Sequence, residues 1–298
     1  MNARNTEMRH PRAEGFDTLP AQEALQVLAR AQVDAARAAE GAVPEIARAA
    51  ELAAEALSGG GRLFYAAAGS SGLMALADAL ELPGTYGIAR DRIVVLLAGG
   101  TDALTTMTGS PEDDAAAAEA EARRFGIGPA DALIAVTASG STPYPLAAAA
   151  VAKAAGARTI GIANNRGAAL LKQVDVGICL ETPPEVVAGS TRMGAGTAQK
   201  IALNMLSTMM AIHLGHVHDG YMVNLVADNI KLRERARRMV MEIAGVSEAE
   251  AEAALARSNG AVKPAVLSAT GIEAPEDVLK ASGGRLRVAL ASPRNATE

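Results

Sequence analysis

The chain has 298 residues and a formal net charge of −5, with 50% hydrophobic and 20% charged residues. Such a composition supports one large domain, or a domain with an appendage, and excludes a mainly disordered protein. One Cys excludes a disulfide scaffold or a Cys-rich metal site; 2% aromatics without Trp argue against base stacking, and the acidic balance argues against general nucleic-acid binding.

Residues 1–20 read as an extended arm punctuated by Pro and Gly, without the apolar core of a secretory signal. The Ala-rich stretch 20–57 carries Leu25, Leu28 and Val33 at helical spacing and predicts two helices broken near Gly41 and Pro44. From Arg62 the rhythm changes. Short apolar runs at Leu63–Ala67, Ile93–Leu97, Ala132–Thr137, 159–163 and 174–180 lack strict alternation, as strands buried on both faces do. Helix-compatible segments at 71–82, 112–125, 143–155 and 166–172 separate them. The alternation predicts right-handed crossovers and a five-stranded parallel sheet in a three-layer αβα sandwich.

Further helices are expected at 193–214, apolar on most faces and stopped by Gly215, and at 224–244, basic on its exposed side through Lys231, Arg233, Arg235, Arg237 and Arg238. The expected organisation is a helical arm over 1–44, a three-layer α/β domain over 45–217 and a helical region over 218–298. No apolar run is long enough to span a bilayer, so a cytoplasmic protein without a membrane partner is expected.

In a parallel sheet, ligands sit beyond the carboxyl ends of the strands. After the first expected strand comes Ala68-Gly-Ser-Ser-Gly72, opening a helix. Gly69 and Gly72 let the backbone approach a ligand, and Ser70, Ser71 and the helix amides can hold an anion; a plain helix cap is the alternative. After the third strand comes Thr137-Ala-Ser-Gly-Ser-Thr142, with Pro143 in first helical position. Ser139, Gly140, Ser141 and Thr142 form a second hydroxyl-rich turn, and two such turns suit a phosphate.

The second turn resembles the phosphate-binding turn of the sugar isomerase (SIS) domain family. Longer runs resemble its N-acetylmuramic acid 6-phosphate etherase branch: Gly60-Gly-Arg-Leu-Phe-Tyr65, Ala98-Gly-Gly100, Glu185 through Gly189-Ser-Thr-Arg192, and Ala195-Gly-Thr-Ala-Gln-Lys200 into Leu203-Asn-Met-Leu-Ser-Thr208. The resemblance runs from about Thr6 to Leu290. It implies an SIS-type fold, a homodimer, and cleavage of a lactyl ether from carbon 3 of a 6-phosphorylated amino sugar without metal or cofactor. It also implies that two Glu side chains carry the acid–base work, at Glu81 and Glu112, and that Glu185, Ser190, Thr191, Arg192 and Lys200 lie near the substrate.

Two carboxylates beside a phosphate repel one another, so one is expected to hold its proton toward neutrality, as a general acid must. The plainer reading of Glu81 is a solvated residue at a helix end set by Pro83; that of Glu112 is an acidic first helical turn. For Glu185 it is a helix cap, and for Ser190 and Thr191 hydroxyl caps. Leu73, Ser141 and Gly194 stand where the etherases usually carry basic residues. That thinned complement suggests a 6-phosphosugar lacking the lactyl carboxylate, or a changed leaving group. An aldose–ketose isomerase and a non-catalytic sugar-phosphate sensor are the rival functions. His213, His216 and His218 flank the expected helix break and suit a helix end better than a metal; Cys179 is expected to be buried and inert.

Overall fold

The computed structural model describes residues 5–291. Its contacts divide the chain into two compact units, one through Ala79 with Asp91–Ser207, the other Leu80–Arg90 with the residues from Thr208 onward. The arm at 1–44 thus groups with the sheet.

Five strands, β1 (Leu63–Ala67), β2 (Ile93–Leu97), β3 (Ala132–Thr137), β4 (Arg158–Ala163) and β5 (Val176–Cys179), form one parallel sheet in the order β2-β1-β3-β4-β5. The expected αβα architecture is what the chain adopts. β1 and β3 are buried throughout, which is why their sequences do not alternate. Phe64, Ala66, Leu133 and Ala135 pack into a core with Ala118 and Ala122 of α4 (Ala115–Arg124) and Tyr144, Ala148 and Ala149 of α5 (Pro143–Ala154). Small Ala side chains let these helices lie close on the sheet.

The other face carries α2 (Val43–Ser58), and α3 (Gly69–Tyr86) and α7 (Gly194–His213) are tied to β1 through Asp78. Here the Tyr65 hydroxyl donates to Asp78 Oδ2 of α3 at 2.8 Å, and Ser207 of α7 donates to Asp78 Oδ1 at 2.9 Å. Burial and the Asp78 charge push the Tyr65 phenol well above its usual pKa, so it stays a donor. The starts of β1 and β3 are pinned by Asp131, which accepts from the Arg62 amide at 2.7 Å and pairs with its guanidinium at 2.9 Å.

α1 (Ala21–Arg37) precedes α2, and the break falls at Ala38–Ala42, before Pro44, as expected. The short α6 (Ala169–Gln173) joins β4 to β5. Pro83 does not end α3. The helix runs on to Tyr86, because losing one backbone donor interrupts one hydrogen bond without stopping the turn, and Gly87 N closes it on Pro83 O at 3.0 Å.

In the second unit, α8 (Ile230–Ala244), α9 (Glu248–Arg257), α10 (Val262–Ala269), α11 (Pro275–Ala281) and α12 (Leu286–Ala291) enclose a core that includes Met239, Val240, Ala254, Val266 and Leu286. α8 begins six residues later than the expected 224, because the Asn229 side chain caps Leu232 N at 3.0 Å and defines the first turn. Ser247 and Glu250 form a capping box on α9. Among the described residues no helix is long and apolar enough to cross a membrane.

Candidate active site

β1 and β3 are neighbours, yet their crossovers diverge: α3 leads out to β2 at one edge, and α5 leads to β4 on the other side. Divergence opens a crevice at the carboxyl ends of the two strands, where open parallel sheets bind ligands. The two hydroxyl-rich turns foreseen in the sequence follow these two strands.

In the turn after β3, Thr137 and Thr142 hydroxyls lie 2.7 Å apart, and Ser139 Oγ sits 3.3 Å from each. The Ser141 hydroxyl and amide both donate to Ser139 Oγ at 3.2 Å. Thr142 precedes α5 without capping it by its side chain. Its hydroxyl faces the turn instead, so four hydroxyls converge on one side. Gly140 has φ +71° and a Cβ there would collide with Ala168. Only Gly fits this position.

The loop after β1 enters α3 at Gly69, with φ +55°. Ser70 and Ser71 make no side-chain hydrogen bond among the described residues. Glu112 Oε1 lies 2.5 Å from where a Gly69 Cβ would stand, so the missing side chain makes room for this carboxylate. Glu112 rides on a 3-10 turn, Ser110–Asp113, seated by Pro111 against Gly99 at the end of β2. It lies in the acidic first turn that the sequence predicts, but in this 3-10 helix and not in α4, which Asp114 caps by accepting from Ala117 N at 2.8 Å. Burial, aided by the adjacent Asp113 charge, raises the pKa of the half-buried Glu112. Asp114 and Glu121, with Tyr144, line an open cavity of about 440 Å³ behind this turn.

Glu81 is exposed on the part of α3 that belongs to the second unit. Leu73 is 37% exposed on the first turns of the same helix.

Glu185 is 4% exposed and spends both oxygens on the start of α7, accepting from Gly194 N at 2.9 Å and Ala195 N at 2.8 Å. The carboxylate, and not the hydroxyl of Ser190 or Thr191, caps this helix and meets its dipole. A Cβ at Gly194 would stand 3.0 Å from Ala35 Cβ and 3.2 Å from Glu185 Oε2, so a larger residue there has to displace one of them. Ser190 and Thr191 are half-buried in the turn entering α7, Arg192 is exposed and Lys200 half-buried. Neither cation has an ion-pair partner among the described residues.

Asn164 and Asn165, directly after β4, escaped the sequence reading. Both are buried. Asn165 donates to the carbonyls of Ala138 at 3.3 Å and Ser139 at 3.2 Å, and Asn164 donates to Ala195 O at 3.4 Å and accepts from Gln199 at 2.8 Å. An Asn pair at a strand's carboxyl end was the available signal. No group of side chains suited to a metal ion occurs among the described residues; Gly215, with φ +72°, ends the helix between His213 and His216. Cys179 is half-buried, and burial raises its thiol pKa.

A family model for the SIS domain matches residues 29–164. The chain is 44% identical over 290 residues to the N-acetylmuramic acid 6-phosphate etherase of Deinococcus radiodurans, covering 96% of this chain and 95% of that protein. It is 40% identical over 293 residues to the protein of the same name from Mycolicibacterium smegmatis, covering 97% and 98%. Among solved structures, a phosphoheptose isomerase from Francisella tularensis superposes with a TM-score of 0.50 at 19% identity, over 65% of this chain and 100% of that one, a likeness of fold.

Proposed function

Because the chain belongs to the N-acetylmuramic acid 6-phosphate etherase family of SIS-domain proteins, we propose that it is a carbon–oxygen lyase that removes the lactyl group from N-acetylmuramic acid 6-phosphate. The observation that carries this reading is the Glu112 carboxylate lying against Gly69, its pKa raised, in the crevice that also presents the hydroxyl turn 137–142.

The hydroxyls of Ser139, Ser141 and Thr142, with Ser70 and Ser71, receive the phosphate. Glu81 removes the proton on carbon 2, which the open-chain aldehyde acidifies. The electron pair forms the carbon 2–carbon 3 double bond as the carbon 3–oxygen bond breaks. Glu112 suits the proton donor: its raised pKa keeps the proton available for the departing lactate oxygen. The resulting Glu112 carboxylate then takes a proton from water as the hydroxide adds to carbon 3, and carbon 2 is reprotonated. Ether and water become N-acetylglucosamine 6-phosphate and lactate. Arg192 and Lys200, unpaired at the start of α7, are the cations available to the substrate's anionic groups. We further propose a cytoplasmic homodimer, which the resemblance implies; sedimentation at micromolar concentration reads the dimer directly.

Turnover in oxygen-18 water tests the chemistry. The expected products are unlabelled lactate and a sugar phosphate with label at carbon 3. Label in the lactate hydroxyl, or a ketose product without lactate, overturns the reading. Glu112→Gln and Glu81→Gln are each expected to lower kcat by about 10²–10⁴, the usual worth of a general acid or base. An ether substrate without the carboxylate belongs in the same panel, since Leu73, Ser141 and Gly194 leave few cations for it; preference for that substrate over the lactyl ether would move the assignment to a different leaving group.

A further inference from the structure

A turn that holds an anion must aim its amides and hydroxyls at the ligand and turn its carbonyls away. Here the carbonyls of Ala138 and Ser139 are both held by the side chain of Asn165. The same amide nitrogen donates to Thr6 Oγ1 at 2.9 Å, and Asn165 Oδ1 accepts from Thr6 N at 3.3 Å. Two amide hydrogens serve three acceptors, so one hydrogen is shared by the neighbouring carbonyls. Thr6 therefore touches both ends of the Asn165 amide and fixes its orientation. Rotated by half a turn, Asn165 would aim an oxygen at two carbonyl oxygens and an N–H at the Thr6 N–H. Thr6 is 2% exposed and Asn165 5%, so bulk water cannot replace these bonds.

We propose that Thr6 and Asn165 are positioning residues for the sugar-phosphate seat, and that the segment Asn5–Glu7 is a working part of that seat although Thr6 lies 159 residues from Asn165 in sequence. The inference rests on the reading of Thr137–Thr142 as the phosphate-binding turn. A second set of bonds keeps the segment in place: Asn5 donates to Thr182 O at 3.5 Å just past β5, and the Thr182 hydroxyl accepts from Asn164 at 3.4 Å. The segment and the Asn pair thus bridge the carboxyl ends of β3, β4 and β5.

Thr6→Val keeps the shape and the backbone N–H of residue 6 and removes the hydroxyl acceptor; Thr6→Ser restores it. Calorimetry with inorganic phosphate and with N-acetylglucosamine 6-phosphate reads the seat independently of turnover. Thr6→Val is expected to weaken both ligands and to raise the KM for N-acetylmuramic acid 6-phosphate by about tenfold, equivalent to about 1.4 kcal/mol, with kcat within about threefold of the parent and Thr6→Ser close to it. A folded Thr6→Val protein with a lower melting temperature but unchanged affinities would reduce Thr6 to a structural contact and overturn the proposal. Should Thr6→Val not fold, Asn165→Asp, which sets an acceptor against both carbonyls and a charge beside the seat, takes its place; unchanged phosphate affinity in that variant is equally fatal. If the parent binds these ligands without releasing lactate, the lyase reading fails while the affinities still decide this one; if it binds neither, both fall.

Discussion

A carboxyl group held protonated by burial costs the folded state something once it must ionise. Glu112 has its pKa raised, first by burial and then by Asp113. The sign follows from proton counting: above the ordinary Glu pKa the unfolded chain gives up this proton before the folded chain does. Stability is therefore lost as pH rises through the interval between the unfolded and folded values, and the loss is complete above the folded one. Glu112→Gln keeps the shape and removes the titration. It is expected to be strongly impaired in turnover yet more stable than the parent at pH 7, with the difference closing below pH about 4. Urea unfolding at pH 4 and pH 7 measures this; an impaired variant that loses stability at pH 7 would mean that the carboxylate is stabilised at its site and unsuited to donate a proton. The sequence showed the residue and, through Ser110 and Pro111, a turn around it, but the gap at Gly69 that admits the carboxylate depends on two segments far apart in the chain.

At the scale of elements, the runs at 63–67 and 132–137 were legible to the residue because a strand buried on both faces has few polar positions to blur its ends, and the half-buried edge run at 93–97 because its five residues are all Ile, Val or Leu. The run 174–180 was read long: Val174 and Leu180 are buried like Val176 and Ile178 of the strand, and burial alone does not reveal where ladder pairing stops. The start of α7 was legible only as alternatives. Gly189-Ser-Thr-Arg192 looked like a cap by composition, but the cap is Glu185, which reaches Gly194 and Ala195 from nine and ten residues away. The sequence offers Glu185 as a cap, but no local rule selects it over Ser190 or Thr191 at that separation. Glu185→Gln leaves one oxygen for one amide and sets an NH2 group against the other. It is expected to destabilise the protein by about 1–2 kcal/mol, since charged hydrogen bonds to helix amides are worth more than neutral ones. If the variant unfolds at the parent's urea midpoint, the carboxylate is not carrying the helix start.

Across the whole molecule, acid acts on the two units through different groups. Glu112 in the first unit favours the protonated form on folding, whereas His216 in the second favours the neutral form: burial, reinforced by the charge of Lys263, lowers its pKa to about 4. Its Nδ1 is buried without a partner, which fits an uncharged ring. Lys263 is itself 5% exposed, donates to Gly284 O at 3.0 Å and has its pKa lowered by burial to about 8. A His with a depressed folded pKa contributes stability that is present above its unfolded value of about 6.5 and is lost as pH falls toward the folded value. Between pH 6.5 and 5 the loss amounts to at most about 2 kcal/mol, because each pH unit in that window is worth about 1.36 kcal/mol per proton. His216→Gln removes the titrating ring and keeps an amide that can donate to the Tyr86 carbonyl. Its unfolding free energy is expected to change less between pH 7 and pH 5 than that of the parent, and a parent and variant with parallel pH profiles would place the acid sensitivity of the fold on other groups.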